Sequence, residues 1–163
     1  MTGDVRFRRP IEADHASIVR KVDEWWGDRS THHRLPRSWF RHFTGTSWIA
    51  EDGRGRIVAF IVGFVSPDHP DEACIHMIGT GPNHRRRGIG RALYDRFFED
   101  ARQRGARRAI APVPPGERGA IDFHRALGFA PTDGDGTQNL YGTPAFADYD
   151  ADGADRAVFS RDL

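Results

Sequence analysis

The chain has one cysteine, Cys74, and one lysine, Lys21, in 163 residues. A lone cysteine excludes an intrachain disulfide framework and a zinc site built from several thiolates. Basic charge therefore rests on arginine, whose planar fork suits phosphate and carboxylate better than an ammonium does. Net charge is lacking too. The 24 basic and 23 acidic residues leave +1, too little for a global field that gathers nucleic acid or anionic membrane. The longest apolar run, Ile57 to Val65, is strand-sized and too short to cross a bilayer as a helix. Met1 to Pro10 carries four charges and no apolar segment, so it does not read as a secretory leader. These absences point to a cytoplasmic chain that engages neither nucleic acid nor membrane. The length fits one domain, residues 1–163, with room for a real core.

What is present is a mixed α/β pattern. Val5 and Phe7 alternate with Arg6 and Arg8 as a short strand, and Asp14 is the expected N-cap of a helix carrying Ile18, Val22, Trp25 and Trp26. Pro36 opens a second short helix with Trp39, Phe40 and Phe43. Residues 47–51 and 56–65 are β-rich runs around the turn signal Asp52-Gly53-Arg54-Gly55, and 73–79 is a further strand. Ile89, Leu93, Phe97 and Ala101 form one apolar helical stripe that ends at Gly105. A strand over 107–113, a helix over 118–127 closed by Gly128, and an extended piece from Phe129 follow. Residues 157–163 alternate weakly and read as an edge strand.

The stretch "GPNHRRRGIGRAL", residues 81 to 93, concentrates the chemistry. A glycine-rich turn from a strand into a helix leaves free backbone N–H groups at a positive helix end, a natural anion site. Common nucleotide signatures are missing. No Gly-Lys pair exists for a Walker loop, and Leu93 stands where the third glycine of a dinucleotide fingerprint belongs.

Two segments carry a family resemblance. Arg85-Arg86-Arg87-Gly88-Ile89-Gly90 fits [Q/R]-x-x-G-x-[G/A], and "AIDFHRALGF", Ala120 to Phe129, follows one helix and one strand later. With both in order, the chain resembles the GNAT superfamily of N-acetyltransferases over most of its length. The resemblance implies a mixed, mostly antiparallel sheet of six to seven strands flanked by about four helices. It implies acetyl-CoA as co-substrate and no metal. The pyrophosphate would lie on the backbone of Arg86 to Arg91, and the pantetheine arm beside Ile78, Gly79 and Thr80 where two strands splay. Arg85, Arg86, Arg87, Gly88, Ile89, Gly90 and Arg91 are thus the expected cofactor-binding residues. The implied reaction is acetyl transfer to a primary amine of a small molecule or peptide. An acyl-CoA-binding sensor or partner module with little catalysis is the alternative, and a homodimer through the late strands is part of the expectation.

The resemblance also singles out catalytic positions. The family usually has tyrosine four residues before the glycine of Gly-Phe; here that position is His124, either the acid for the departing thiolate or a core histidine. Glu117 stands where asparagine is frequent. A backbone N–H near Ile78 is the expected oxyanion donor. His76 is the candidate base, and simple alternation would put Cys74, His76 and Ile78 on one face. Trp25, Trp26 and Trp39 either wall the acceptor pocket or form core, with Asp23, Glu24 or Asp28 available to attract an ammonium. Asp148 to Gly153, "DYDADG", imitates a calcium loop, but Phe159 occupies its twelfth position, so a polar turn is expected.

Overall fold

The computed structural model describes residues 4–27 and 31–163, so Asp28 lies outside the described residues. In chain order the elements are β1 (Arg6–Arg8), α1 (Asp14–Trp25), α2 (Trp39–His42), β2 (Trp48–Glu51), β3 (Ile57–Val65) and β4 (Glu72–Thr80). They continue as α3 (Ile89–Gln103), β5 (Arg108–Val113), α4 (Arg118–Ala126), β6 (Ala130–Pro131), β7 (Gln138–Leu140), β8 (Thr143–Ala145) and β9 (Ala157–Asp162). One seven-stranded sheet runs β1-β2-β3-β4-β5-β9-β6, and β7–β8 is a separate hairpin. Every neighbouring pair is antiparallel except β4–β5. This is the mixed, mostly antiparallel sheet with four helices that the resemblance implied.

The two faces of the sheet carry separate cores. On one, the apolar stripe of α3 buries Leu93, Tyr94, Phe97 and Phe98 with Ile61, Ile75 and Ile121. On the other, Ile18 and Val22 of α1 and Phe40 of α2 cover Phe60, Val62 and Met77. Each such side chain contributes about 1.5–3 kcal/mol on leaving water, so this double burial of β3 outweighs the surface ion pairs. Two polar clamps fix the helices. Arg9 binds both oxygens of Asp100 at 2.6 and 2.7 Å while Trp48 Nε1 donates to the same carboxylate at 2.8 Å, tying α3 to β2. Arg8 bridges Glu51 and Asp14.

Three expectations need correction. Asp14 is the first helical residue rather than the cap, because its carboxylate is drawn back to Arg8 and the Ile11 N–H at 2.8 Å. β9 is an interior strand, pairing with β5 over six residues and with β6 on its other side. Cys74, His76 and Ile78 do not share a face. Val62 pairs with Met77 and Gly63 with Ile75, so His76 is an extra, bulged residue that resets the alternation. Ile78 consequently packs with the α3 core, while Met77 joins the α1 core. Gly63 sits opposite the bulge for a steric reason: a Cβ there would lie 2.6 Å from the Phe97 ring and 2.7 Å from the Cys74 carbonyl.

Candidate active site

The site grows from the one parallel pairing. β4 and β5 are in register only from Glu72↔Arg108 to Cys74↔Ile110, and then separate. The sequence supplies the cause on both strands: the bulge at His76 reaims β4, and Pro112 offers β5 no N–H with which to extend the ladder. The opened wedge holds an inner cavity of about 230 Å³ between Ile75–Ile78 and Ala111–Pro114. A groove of about 870 Å³ runs from the end of β4 past residues 84–91 to α4. Trp26, Ile78, Glu117, Ala120 and His124 line both, so the two spaces meet at those residues.

At the outer end, the 85–88 turn is shaped for an anion by its backbone. Arg86 and Gly88 adopt φ of 61° and 79°, left-handed values that gather successive N–H groups into a concavity at the start of α3. The first N–H groups of α3 have no intrahelical acceptors. Ile78, Gly79 and Thr80 line the groove together with Arg85, Arg86, Gly88, Ile89, Gly90 and Arg91. The arginine side chains divide in role. Arg85 is engaged structurally, donating from Nε to the Thr80 carbonyl at 3.0 Å and from Nη2 to the Trp25 carbonyl at 2.6 Å. Arg87 is exposed and lines neither space.

At the junction, His124 is 4% exposed and both of its ring nitrogens are engaged. Nδ1 faces the Ala120 carbonyl at 2.7 Å and must carry hydrogen, since a carbonyl only accepts. Nε2 is then the acceptor, and the Tyr94 hydroxyl donates to it at 2.5 Å. Burial holds the imidazole below its ordinary pKa, against the hydrogen bond to Ala120, and pushes the phenol far above its own. The proton between the two residues therefore sits on Tyr94 Oη. Sequence reasoning missed Tyr94, although it flanks the buried stripe of α3 as a polar-tipped residue among Leu93, Phe97 and Phe98.

In the inner cavity, His76 lies flat on Trp39, ring centroids 4.1 Å apart and 9° from parallel. Its Nε2 donates to the Arg34 carbonyl at 2.5 Å, which leaves Nδ1 as the basic nitrogen. Burial holds this ring below its ordinary pKa, so it is neutral near pH 7. Cys74 is no nucleophile there: burial, helped by Glu72, raises its thiol to about 11. The tryptophans separate. Trp26 lines both spaces and lies over Gly79, Trp25 stacks on Phe60 and borders only the groove, and Trp39 borders neither. Asp23 accepts from the Thr31 and His32 N–H groups, the Thr31 hydroxyl and His32 Nδ1 at 2.5–3.0 Å, and Glu24 is exposed. In the 148–153 turn, Asp148 accepts from the Gly153 N–H at 2.6 Å, and no metal-type cluster occurs among the described residues.

A model of the acetyltransferase (GNAT) family matches residues 14–129. An L-2,4-diaminobutyric acid acetyltransferase of Streptomyces coelicolor is 34% identical over 105 residues, 63% of this chain and 61% of its own length. The match thus spans about three fifths of that relative. The L-amino acid N-acyltransferase MnaT of Escherichia coli is 30% identical over 139 residues, covering 78% of this chain and 80% of its own. Among solved structures, the diaminobutyrate acetyltransferase EctA from Paenibacillus lautus, in complex with L-2,4-diaminobutyric acid and coenzyme A, superposes with a TM-score of 0.69. Its identity is 21%, over 96% of this chain and 93% of that one.

Proposed function

The chain belongs to the acetyltransferase (GNAT) family, and from that premise we propose that it transfers the acetyl group of acetyl-CoA to a primary amine of a small molecule. Residues 1–163 are taken as one catalytic unit. The observation that carries the reading is the continuous space through the β4–β5 wedge, with an anion-binding turn at its outer end and a smaller cavity at its inner end. The residues present fit the co-substrate. The positive-φ pair Arg86 and Gly88 offers converging amides to a pyrophosphate, and the edge of β4 at Ile78–Thr80, past its last pair with β5, offers backbone to an amide-bearing arm. Bound there, acetyl-CoA supplies the acetyl thioester that a neutral amine attacks.

The chain's own groups then have separate tasks. His76, neutral and with Nδ1 unprotonated, takes a proton from the acceptor amine. A backbone N–H near Ile78 faces the developing oxyanion and is fixed before reaction. Tyr94 protonates the departing thiolate by turning its Oη–H from its resting acceptor, His124 Nε2, towards the sulfur. His124 holds that hydroxyl in place and away from bulk water until then. His124 is thus reassigned from acid to positioning residue. The apolar wall of the inner cavity, Ile75, Met77, Ala111 and Val113, excludes water and limits the acceptor to a small molecule. Trp26 borders the junction where amine and thioester meet.

The engaged ring of His124 also favours a second reading, an acyl-CoA sensor, since both of its nitrogens are already held by Tyr94 and Ala120. A cytoplasmic setting belongs to the proposal because acyl-CoA is an intracellular metabolite. A homodimer through the late strands does too, where the β7–β8 hairpin displays the exposed Tyr141; sedimentation tests it. Calorimetric titration tests the co-substrate. One acetyl-CoA and one desacetyl-CoA should each bind per chain and compete with one another, and an absence of binding would refute the groove assignment.

A further inference from the structure

Arg34 stands apart from the other arginines withdrawn from solvent. Among the described residues, Arg8 pairs with Asp14 and Glu51, Arg156 with Asp150, Arg161 donates to the Leu127 carbonyl, and Arg96 lies over Phe7 and Trp48. Arg34 lines the inner cavity, and its guanidinium makes no side-chain hydrogen bond or ion pair among the described residues. A half-buried guanidinium holds five donors, and leaving them unmatched is costly. The surroundings add to the imbalance. Burial lowers the pKa of Arg34 first, and the nearby Arg156 lowers it further. The compensating carboxylate, Asp150, is already held by Arg156 Nε at 2.8 Å. Around Arg34 two guanidiniums therefore face one carboxylate, while Glu117, the other charged residue of the cavity lining, lies at the junction with the groove.

We propose that Arg34 is the recognition site for a carboxylate on the acceptor, so that the substrate class is a small amino acid rather than a simple amine. This rests on the transferase reading and specifies its acceptor. Arg34 lines the inner cavity but not the cofactor groove, whereas Trp26, Ile78 and His124 line both. An acceptor with its amine at that junction extends its other end towards Arg34. The planar fork matches a carboxylate in bidentate fashion, and the cavity of about 230 Å³ suits a molecule of amino-acid size. Position is set independently of the side chain. Asp23 accepts from the N–H groups of Thr31 and His32 at 2.6 and 2.8 Å, anchoring the turn, and the Arg34 carbonyl holds His76. The residue that reads the carboxylate thus also positions, through its backbone, the base that serves the amine.

The test is direct binding to the CoA-saturated protein by calorimetry. The probes are 2,4-diaminobutyrate and the standard L-amino acids, each beside its decarboxylated amine, such as 1,3-diaminopropane. At least one amino acid should bind wild type roughly ten- to a hundredfold tighter than its amine, as loss of a charge-assisted pair requires. Arg34→Met should erase that gap, Arg34→Lys should restore part of it, and CoA affinity should stay within about twofold. The melting temperature of Arg34→Met should not fall, since no protein partner is orphaned; a clear drop would mark a structural arginine. No preference for any amino acid in wild type, or an equal gap in Arg34→Met, would overturn the inference. Thiol release measured in parallel separates the two readings. Turnover without a gap leaves the transferase standing without this site, and a gap without turnover does the reverse.

Discussion

Removing one oxygen, in Tyr94→Phe, probes the buried pair at the junction. The Tyr94 side chain is fully buried, and its hydroxyl meets His124 Nε2 at 2.5 Å. The substitution leaves Nε2 as a buried acceptor without a donor, at a cost of about 1–3 kcal/mol. For a chain of this length each kcal/mol lowers the melting temperature by about 2–4 °C, so the expected fall is about 2–12 °C. His124→Leu leaves the converse orphan, the Tyr94 hydroxyl. The double variant orphans neither, so its cost should fall short of the sum by about 1–2 kcal/mol. Urea denaturation of the four proteins measures this coupling. Activity adds a second readout: if Tyr94 carries the proton for the departing thiol, kcat drops by about 10²–10⁴ with acetyl-CoA affinity unchanged. Additive costs within about 0.5 kcal/mol, or an unaltered kcat, would refute the pair as described.

Further outcomes follow from the same structure. His76 should give kcat/KM an acidic limb below the ordinary histidine value of 6.5, because burial lowers its pKa, and His76→Gln should remove that limb from the pH profile. Stability should rise with pH up to about 6.5, since His76 and His124 bind protons more weakly folded than unfolded; urea denaturation at stepped pH should show a shallower slope in His124→Leu. Gly88→Val, at φ 79° with open space around its Cβ, should cost about 1–2 kcal/mol of backbone strain and weaken acetyl-CoA binding at least tenfold by calorimetry. Gly63→Ala should destabilise by about 1–3 kcal/mol in urea, because the new methyl meets the Cys74 carbonyl as well as the Phe97 ring.

The parts of the site legible in sequence are those set by local chemistry. The apolar stripe of α3, the glycine turn before it and the strand order up to β5 all follow from periodicity and turn residues that act within a few positions. What was not legible depends on partners far along the chain. The bulge at His76 exists only against β3, and it sends Ile78 to the opposite core from the one strict alternation implies. Tyr94 gains its role from His124, thirty positions away, across a helix–helix contact. Trp39 resembles a pocket residue in sequence, yet its ring is taken up by His76, Phe43 and Phe64. β9 looked like an edge because its weak alternation says nothing about the second neighbour, β6.

Free-thiol release from acetyl-CoA across a panel of amines and amino acids, with product mass recorded, reaches the central claim most directly. Release that depends on the acceptor, with a product heavier by one acetyl group, is the expected result. Tight binding of acetyl-CoA with no acceptor accelerating thiol release would contradict the transferase and leave the acyl-CoA sensor in its place.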